Sequence, residues 1–279
     1  MDELRLDYLK MDSLVDLLKA SFSFEDWENM IEIANKLYFC AIELKEEVQQ
    51  ENHFKRHLTY YFGFSQLSKG IALQNKGQYG EAKELIEKYS DLSWLDDGSK
   101  EAREEINFFN MFAKANMYAV NILEGNLEQI EPYVQFLRES RLEELMPGLL
   151  NIIEAAMRYN LDVNEILKSF DGEMNMAIEY YKKNQSLYLM KVFFKLSLYH
   201  FVRKEYVVAI DKTLEGLEFS VILKDAGAFK KFSALFESFR KQASEDQQTM
   251  YTIFMTNTLK EEISNEKGIS FDGNCIGVN

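Results

Sequence analysis

Residues 58–95 contain two amphipathic helical patterns on either side of a short turn at 76–78. Small residues stand at Gly70 before the turn and at Ala82 after it, with the apolar Tyr79 between them. Small residues let two helices approach closely, and this arrangement is typical of the tetratricopeptide repeat, a helix–turn–helix unit. One such hairpin leaves an apolar face uncovered, so the segment predicts neighbouring hairpins that cover it.

The same pattern recurs along the chain at irregular spacing. The turn Glu124-Gly125-Asn126 corresponds to 76–78, and Ala209, after the turn Arg203-Lys204-Glu205, aligns with Ala82. The helical periodicity predicts six pairs, with these approximate bounds: 10–20 with 24–48, the hairpin 57–90, the unit 106–139, 149–159 with 163–170, 186–202 with 206–223, and 226–241 with 245–263. A further helix is expected at 174–183, after a break at Asp171-Gly172.

Several helix ends have recognisable start signals. Ser23 and Ser244 are predicted N-caps, and Asp162 is predicted to cap the helix that follows it. Pro147 suits the first position of a helix, where its missing N–H costs nothing. The sequence therefore predicts an all-α fold, a right-handed superhelix of degenerate tetratricopeptide-like hairpins, with one domain at 1–263 and a flexible tail at 264–279.

The composition agrees with a helical protein and restricts its partners. Only two prolines occur, and 47% of the residues are hydrophobic, which is enough for an extended core. The net charge is −14 and no dense cluster of Lys and Arg appears, so the chain itself is not expected to bind nucleic acid. No apolar run is long enough for a membrane span, and the charged N-terminus is unlike a signal peptide.

The cysteines and histidines give no chemical motif. Cys40 falls in an apolar helical stretch and Cys275 in a Gly-rich tail, so no disulfide framework is expected and a cytoplasmic location follows. His53 and His57 stand at i and i+4 and would share a metal on a helix, but a solvated helix start is the simpler interpretation. His200 is interpreted as a packed helix residue. Phosphate-binding glycine motifs are lacking as well, so we predict no enzyme, cofactor or metal.

The first helix of each hairpin lines the concave side of such a superhelix, where we expect a peptide-binding groove. Asparagine can donate to and accept from one peptide unit, and Arg or Lys can hold a carboxylate. On the helix at 149–159, Asn151, Glu154 and Arg158 share one face. The alternative is that such residues are ordinary solvated side chains. The predicted groove residues are Ser68, Gln74, Asn75, Asn116, Asn151, Arg158, Lys191 and Lys195.

Some segments resemble a known family. They are GQYGEAKELIEKYSDLSWL, AKANMYAVNILEGN, YVQFLRE and MPGLLNIIEAAMRYN. They look like the helical-repeat region of bacterial helix-turn-helix regulators of the xenobiotic-response-element type, similar in layout to the Rap, PlcR and NprR peptide-pheromone receptors. The resemblance implies a cytoplasmic receptor for a short peptide, often a homodimer.

These regulators normally carry an N-terminal DNA-binding domain, whereas this chain opens directly in repeat helices. We therefore expect either the ligand-sensing part of a regulator or a member that acts only on proteins. Two functions remain open: a sensor that binds a short signalling peptide in the concave groove, and a protein–protein adaptor with a folded partner and no small effector.

Overall fold

The computed structural model describes residues 10–46, 55–184 and 187–265. Every regular element in those ranges is a helix and none is a strand, which confirms the predicted all-α class. Short 3₁₀ turns, among them Ser93–Leu95, join some of the helices. The α-helices are α1 (Met11–Ser23), α2 (Trp27–Glu46), α3 (Leu58–Asn75), α4 (Tyr79–Ser90), α5 (Lys100–Glu124), α6 (Ile130–Glu139), α7 (Leu142–Tyr159), α8 (Asn164–Lys168), α9 (Asp171–Asn184), α10 (Leu187–Val202), α11 (Tyr206–Ile222), α12 (Ala226–Phe239) and α13 (Glu245–Asn265).

The chain divides into two compact units, Met1–Glu144 and Leu145–Asn279. Unit 1 holds α1 to α6, and unit 2 holds most of α7 together with α8 to α13. The single domain over 1–263 and the superhelix that the sequence suggests stay predictions.

Unit 1 is built from helices that contact both their chain neighbour and the next helix but one. Consecutive helices pack against each other from α1 to α6, while α1 also contacts α3, and α3 also contacts α5. Stacked hairpins produce this pattern because the first helices of successive hairpins lie side by side. The packing within unit 1 is therefore that of helical hairpins, as the periodicity predicts.

The turn between α3 and α4 has the conformation that its glycine predicts. Gly77 has φ +77°, in the left-handed region that glycine enters without steric cost. The N–H of Gln78 donates to the carbonyl of Leu73 at 2.9 Å, which closes the end of α3. Ala82, on the first turn of α4, is fully buried. A tight reversal thus lays α4 back along α3.

Two glycines of α3, Gly70 and Gly63, face different neighbouring helices. A Cβ built on Gly70 would lie 3.8 Å from the Cβ of Leu85, an ordinary van der Waals contact. A Cβ on Gly63, nearer the start of α3, would lie 2.3 Å from Cε2 of Phe109 on α5. Only a glycine leaves room for this ring at position 63, so α3 and α5 make a close contact that the repeat pattern does not predict.

Unit 2 repeats the hairpin arrangement in α10 and α11. Lys204 takes φ +64° in the turn, and the N–H of Glu205 donates to the carbonyl of His200 at 2.9 Å. The aligned small residues Ser197 and Ala209 are both fully buried. Helix α11 also packs against α12 and contacts α13. The fifth and sixth predicted pairs are therefore confirmed as helices near their predicted bounds.

One of the two predicted serine caps is wrong and the other is confirmed. Ser23 does not cap α2, because its hydroxyl donates back to the carbonyl of Lys19 within α1 at 2.9 Å. Asp26, directly before α2, accepts the N–H of Asn29 instead, at 3.2 Å. The Ser244 prediction is confirmed, since its hydroxyl accepts the N–H of Gln247 at 3.2 Å.

Pro147 lies inside α7 rather than at its first position. Pro147 is the sixth residue of α7, which starts at Leu142. Because proline has no N–H, α7 lacks the hydrogen bond from this position to the carbonyl of Glu143. Asp171 and Gly172, where the sequence predicts an interruption before the next helix, are instead the first residues of α9.

None of the helices in the described ranges is long and apolar enough to cross a membrane. Of the predicted tail 264–279, Ser264 and Asn265 complete α13. The rest of the tail, including Cys275, lies outside the described residues, and so does His53.

Candidate functional site

Helix α7 is buried on most of its circumference and keeps one open strip. Between Pro147 and Arg158, its exposed and partly exposed residues fall within a sector of roughly 120° at the 3.6 residues per turn of an α-helix. These residues are Pro147, Leu150, Asn151, Glu154, Met157 and Arg158. The remaining faces carry side chains of 1% exposure or less at Leu149, Ile152, Ile153, Ala155 and Ala156. The sequence-predicted Asn151 and Arg158 thus lie on the same open side of α7.

Helix α10 has the same construction. Leu189, Met190, Val192, Phe193 and Leu196 are buried around it. The partly exposed residues of α10 recur at three- and four-residue steps and therefore lie along one face. That face consists of Tyr188, Lys191, Phe194, Lys195 and Leu198.

The two open strips meet at Glu154. Lys195 Nζ lies 3.6 Å from Glu154 Oε2, and Arg158 NH2 lies 3.6 Å from Glu154 Oε1. We call the surface formed by Asn151, Glu154, Arg158, Lys191 and Lys195 the α7–α10 face. It brings together all four of the groove residues predicted in unit 2.

A second contact fixes the direction in which α10 runs along α7. The hydroxyl of Tyr199 accepts the N–H of Val163, just beyond the end of α7, at 3.0 Å. Because Lys195 faces Glu154 and Tyr199 faces Val163, the two helices advance in the same direction. The parallel course places Lys191 near the Asn151 end of the face. Parallel first helices are what a stack of hairpins predicts.

The α7–α10 face brings together charges of both signs. Its five residues include three cations, Arg158, Lys191 and Lys195, and the carboxylate of Glu154. The two contacts of Glu154 at 3.6 Å are longer than a hydrogen bond, so they are ion pairs without close donor–acceptor geometry. A carboxylate that reaches Lys195 at hydrogen-bonding distance competes well with Glu154.

In unit 1, Asn116 has a structural partner. Its side-chain N–H donates to the hydroxyl of Tyr89 at 2.9 Å. Burial raises the pKa of Tyr89 above its ordinary value, although this hydrogen bond opposes the shift. Asn116 therefore donates a hydrogen bond to a hydroxyl that is enclosed by the core of unit 1. Asn116 itself is partly exposed.

The other predicted residues of unit 1 differ in their exposure. Ser68 is 2% exposed, so its side chain lies in the core and not on a groove; this part of the prediction is wrong because α3 is buried on several faces. Asn75 is exposed, and its side-chain N–H donates to the carbonyl of Ile71 in its own helix at 2.8 Å. Gln74 is half buried.

A polar cluster that the sequence does not reveal joins the α10–α11 turn to the start of α8. Tyr199 donates to Asn164 Oδ1 at 3.1 Å, and the Asn164 amide donates to Glu205 Oε1 at the same distance. Glu205 also contacts His200 Nδ1 at 2.6 Å and accepts from Arg203 Nε at 3.1 Å. We call these five residues the Glu205 cluster. Burial by itself raises the pKa of Glu205, but the hydrogen bonds from His200, Asn164 and Arg203 together bring that pKa below its ordinary value.

The described histidines have hydrogen-bonding roles. His57 Nδ1 accepts the N–H of Thr59 at the start of α3, at 3.2 Å, and His57 Nε2 lies 3.2 Å from Asp97 Oδ2. In the ranges that the structure describes, no group of three or more His, Cys, Asp or Glu side chains is placed to hold a metal ion.

No family model, no curated protein and no solved structure matches this chain. The resemblance to the repeat region of xenobiotic-response-element regulators therefore stays a prediction. A binding site is consequently inferred from the geometry of the α7–α10 face itself.

Sequence patterns do not identify the apolar residues that border the α7–α10 face. Leu150 and Met157 flank it on α7, and Phe194 and Leu198 flank it on α10. Lys191 and Lys195 indicate the open side of α10, but the rest of this helix is apolar almost all round, so periodicity does not predict that Phe194 and Leu198 stay partly exposed. The proximity of Glu154 to Lys195 likewise has no local signal, because the two residues are far apart in the chain.

Proposed function

We propose that this chain is the ligand-sensing part of a bacterial transcriptional regulator and binds a short signalling peptide on the α7–α10 face. The observation that supports the proposal best is the Lys195–Glu154 contact, which joins two parallel helices along their open strips. The strips together form an elongated surface that combines amide, charged and apolar side chains. That mixture suits an extended peptide better than a compact metabolite.

The chemistry of the face matches the groups of a peptide. The Asn151 amide has both a donor and an acceptor, as does every peptide unit. Lys195 and Arg158 suit a carboxylate at the C-terminus or on an acidic side chain. Met157 and Leu198 offer apolar contact area beside these polar groups.

Peptide binding on the α7–α10 face would change the contact between α7 and α10. Glu154 contacts residues on both α7 and α10, so a ligand carboxylate that replaces it alters the contact between the two helices. A ligand shifts a conformational equilibrium only by its differential affinity for the two states. A peptide that favours one spacing of α7 and α10 would act in this way.

A pooled library of short synthetic peptides tests the proposal. We expect a subset to raise the melting temperature in a saturable way, because a ligand that binds only the folded state stabilises it. The affinity of each such peptide is then measured by isothermal titration calorimetry. A library without any stabilising peptide would contradict the sensor function.

Two variants locate the binding surface. Lys195→Ala removes one charge-assisted contact. We expect it to weaken the binding of a carboxylate-bearing peptide roughly 10-fold or more. Lys212→Ala is the matched control, because Lys212 is also a half-exposed lysine of unit 2 and pairs with Glu215 on α11, away from the face. Equal effects of both substitutions would assign the peptide to another surface.

A second function, an adaptor for a folded protein, is favoured by a different observation. Val202, Val207 and Val208 surround the α10–α11 turn with exposures of 61%, 61% and 40%. Apolar side chains grouped at a hairpin tip are typical of protein interfaces. Co-purification of one stoichiometric protein that Val207→Ser releases, without any peptide response, would support the adaptor.

The resemblance also suggests a homodimer in the cytoplasm, and we propose binding rather than catalysis. Size-exclusion chromatography with light scattering measures the oligomeric state with and without a stabilising peptide. A change in mass on peptide addition would link binding to assembly.

A further inference from the structure

Trp94 is held outward by the 3₁₀ turn Ser93–Leu95 in unit 1. Its neighbours Leu92 and Leu95 are buried, with 2% and 8% exposure, and anchor the turn in the core. The indole of Trp94 remains 50% exposed. The buried ring of Phe62 supports it edge to face, with 5.2 Å between the ring centroids. A large ring is thus supported from the core side and open to solvent on the other.

The indole continues into a row of aromatic rings. Phe62 lies 5.6 Å from Tyr38, and Tyr38 lies 6.2 Å from Phe39, measured between ring centroids. Phe39 is 60% exposed. We call Tyr38, Phe39, Phe62 and Trp94 the Trp94 surface. Phe39 and Trp94 are the exposed rings at the two ends of this row, and they are connected through the half-buried Tyr38 and the buried Phe62.

The protein itself seats a cation on this surface. Lys45 Nζ lies 3.9 Å from the centroid of the Trp94 ring, within the range of a cation–π interaction. Lys45 is an exposed residue of the last turn of α2, so its side chain can leave the ring at little cost. The contact shows that the open face of the indole accommodates a positive group.

The segment around Trp94 is acidic. Residues 91–99, DLSWLDDGS, contain three aspartates, of which Asp96 lies 3.6 Å from Arg103 Nε and Asp97 lies 3.2 Å from His57 Nε2. Asp91 and Asp97 accept backbone N–H groups of Ser93 and Ser99 at 2.9 Å, which fixes their carboxylates in place. Hydrogen bonds from Ser99 and His57 lower the pKa of Asp97 to about 2, so it stays ionised at neutral pH.

We propose that the Trp94 surface binds an arginine side chain from a basic segment of a partner protein, with the guanidinium stacked on the indole in the place that the Lys45 ammonium occupies. A planar guanidinium covers an indole face better than an ammonium does, and it is more weakly hydrated. The flexible lysine acts as an internal substitute that leaves when the partner's arginine arrives. This site lies in unit 1 and is independent of the peptide site on the α7–α10 face.

Tryptophan fluorescence tests the proposal directly. The chain has two tryptophans, so Trp27→Phe leaves Trp94 as the sole indole emitter. Titration of this variant with a short oligo-arginine peptide should change the emission in a saturable way. Oligo-lysine should bind more weakly, and oligo-glutamate should have no effect. An unchanged emission with oligo-arginine, or equal responses to oligo-arginine and oligo-lysine, would overturn the proposal.

Substitution of Lys45 tests whether its ammonium competes with an arginine side chain for the Trp94 ring. Lys45→Met keeps the alkyl stem but removes the ammonium, and should tighten oligo-arginine binding roughly two- to fivefold. Lys88→Met on α4 is the control for the change in net charge and should tighten it less. Trp94→Leu, followed by calorimetry, should abolish binding. Survival of binding in Trp94→Leu, or no difference between the two lysine variants, would contradict the assignment.

Two further measurements distinguish arginine binding at Trp94 from peptide binding in unit 2 and from self-association. Lys195→Ala should leave oligo-arginine binding unchanged, so loss of peptide binding on the α7–α10 face and loss of arginine binding are distinguishable. Trp94-dependent self-association without an arginine response would show that a second copy of the chain covers the surface and would overturn the proposal.

Discussion

Gly63 on α3 and Phe109 on α5 are in such close contact that a Cβ on the glycine would lie 2.3 Å from the phenylalanine ring. Phe109 is fully buried, so its ring is enclosed by the core of unit 1. We expect Gly63→Ala to lower the free energy of unfolding by about 1–3 kcal/mol, the usual cost of overpacking. Urea denaturation followed by circular dichroism measures the change.

Gly70→Ala is the matched control on the same helix. The nearest atom to its added Cβ would lie 3.8 Å away, so no steric cost arises. Alanine in a helix interior is more favourable than glycine by roughly 0.5–1 kcal/mol, and we expect this variant to be at least as stable as the wild type. Destabilisation by Gly70→Ala equal to that by Gly63→Ala would show that the contact with Phe109 is not the cause.

Asn116 and Tyr89 should be energetically coupled. Asn116→Ala leaves the buried Tyr89 hydroxyl without this donor, and we expect a loss of about 1–3 kcal/mol. Tyr89→Phe removes the hydroxyl itself, so adding Asn116→Ala to it should cost little more. A double-mutant cycle by urea denaturation measures this coupling. Strictly additive effects would mean that the hydrogen bond contributes nothing.

Glu144 should make folding stability depend on pH near neutrality. Burial raises its pKa to about 7 from an ordinary value of 4.5, with a smaller contribution from the neighbouring Glu143. The folded state therefore binds more protons than the unfolded state between these pH values, and stability falls as the pH rises from 4.5 to 7. Glu144→Gln should remove this fall and gain on the order of 1–3 kcal/mol relative to the wild type at about pH 8.

The control for this pH dependence is Glu143→Gln. Because burial is the larger cause of the shift, removal of the Glu143 charge should reduce the dependence only slightly. Chemical denaturation at a series of pH values from about 4 to about 8 gives both curves. A wild-type stability that stays level across this range would contradict the assignment to Glu144.

Glu205 should make folding stability decrease as the pH falls, which is opposite in sign to the effect of Glu144. Its pKa lies below the ordinary 4.5, so it stabilises the folded state above that pH, and this contribution is lost as the pH falls through the folded-state value. We expect Glu205→Gln to cost about 1–2 kcal/mol at neutral pH, since several hydrogen bonds of the Glu205 cluster converge on the carboxylate. The cost should diminish toward about pH 3.

Glu215→Gln provides the comparison for the Glu205 cluster. Glu215 pairs with Lys212 on the surface of α11, and its side chain is 41% exposed. Exposed ion pairs contribute little because solvent screens them. Thermal melting at neutral and at acid pH should therefore show a clear pH-dependent loss for Glu205→Gln and almost none for Glu215→Gln.

Local patterns in the sequence are sufficient to predict the helices, their turns and some of their caps. The turn at Gly77 and the capping serine Ser244 depend on neighbouring residues alone, so periodicity and residue type predict them. The predicted place of Pro147 is wrong because a proline in the second turn of a helix and one at its first position have the same local signal. The structure shows that the helix begins earlier.

The candidate sites required the tertiary structure. Asn151 and Arg158 can be placed on one face of α7 by counting, but the approach of Lys195 to Glu154 depends on how α10 packs. Local sequence does not distinguish the buried Ser68 from the exposed Asn75, since both are polar residues of α3.

The amino-acid sequence by itself determined that this chain forms amphipathic helices paired in hairpins, because helix formation and tight turns depend on contacts within a few residues. Only the tertiary structure decided which polar side chains stay accessible and which glycine admits a neighbouring ring. Those properties depend on side chains from distant segments, and their packing leaves no periodic trace in the local sequence.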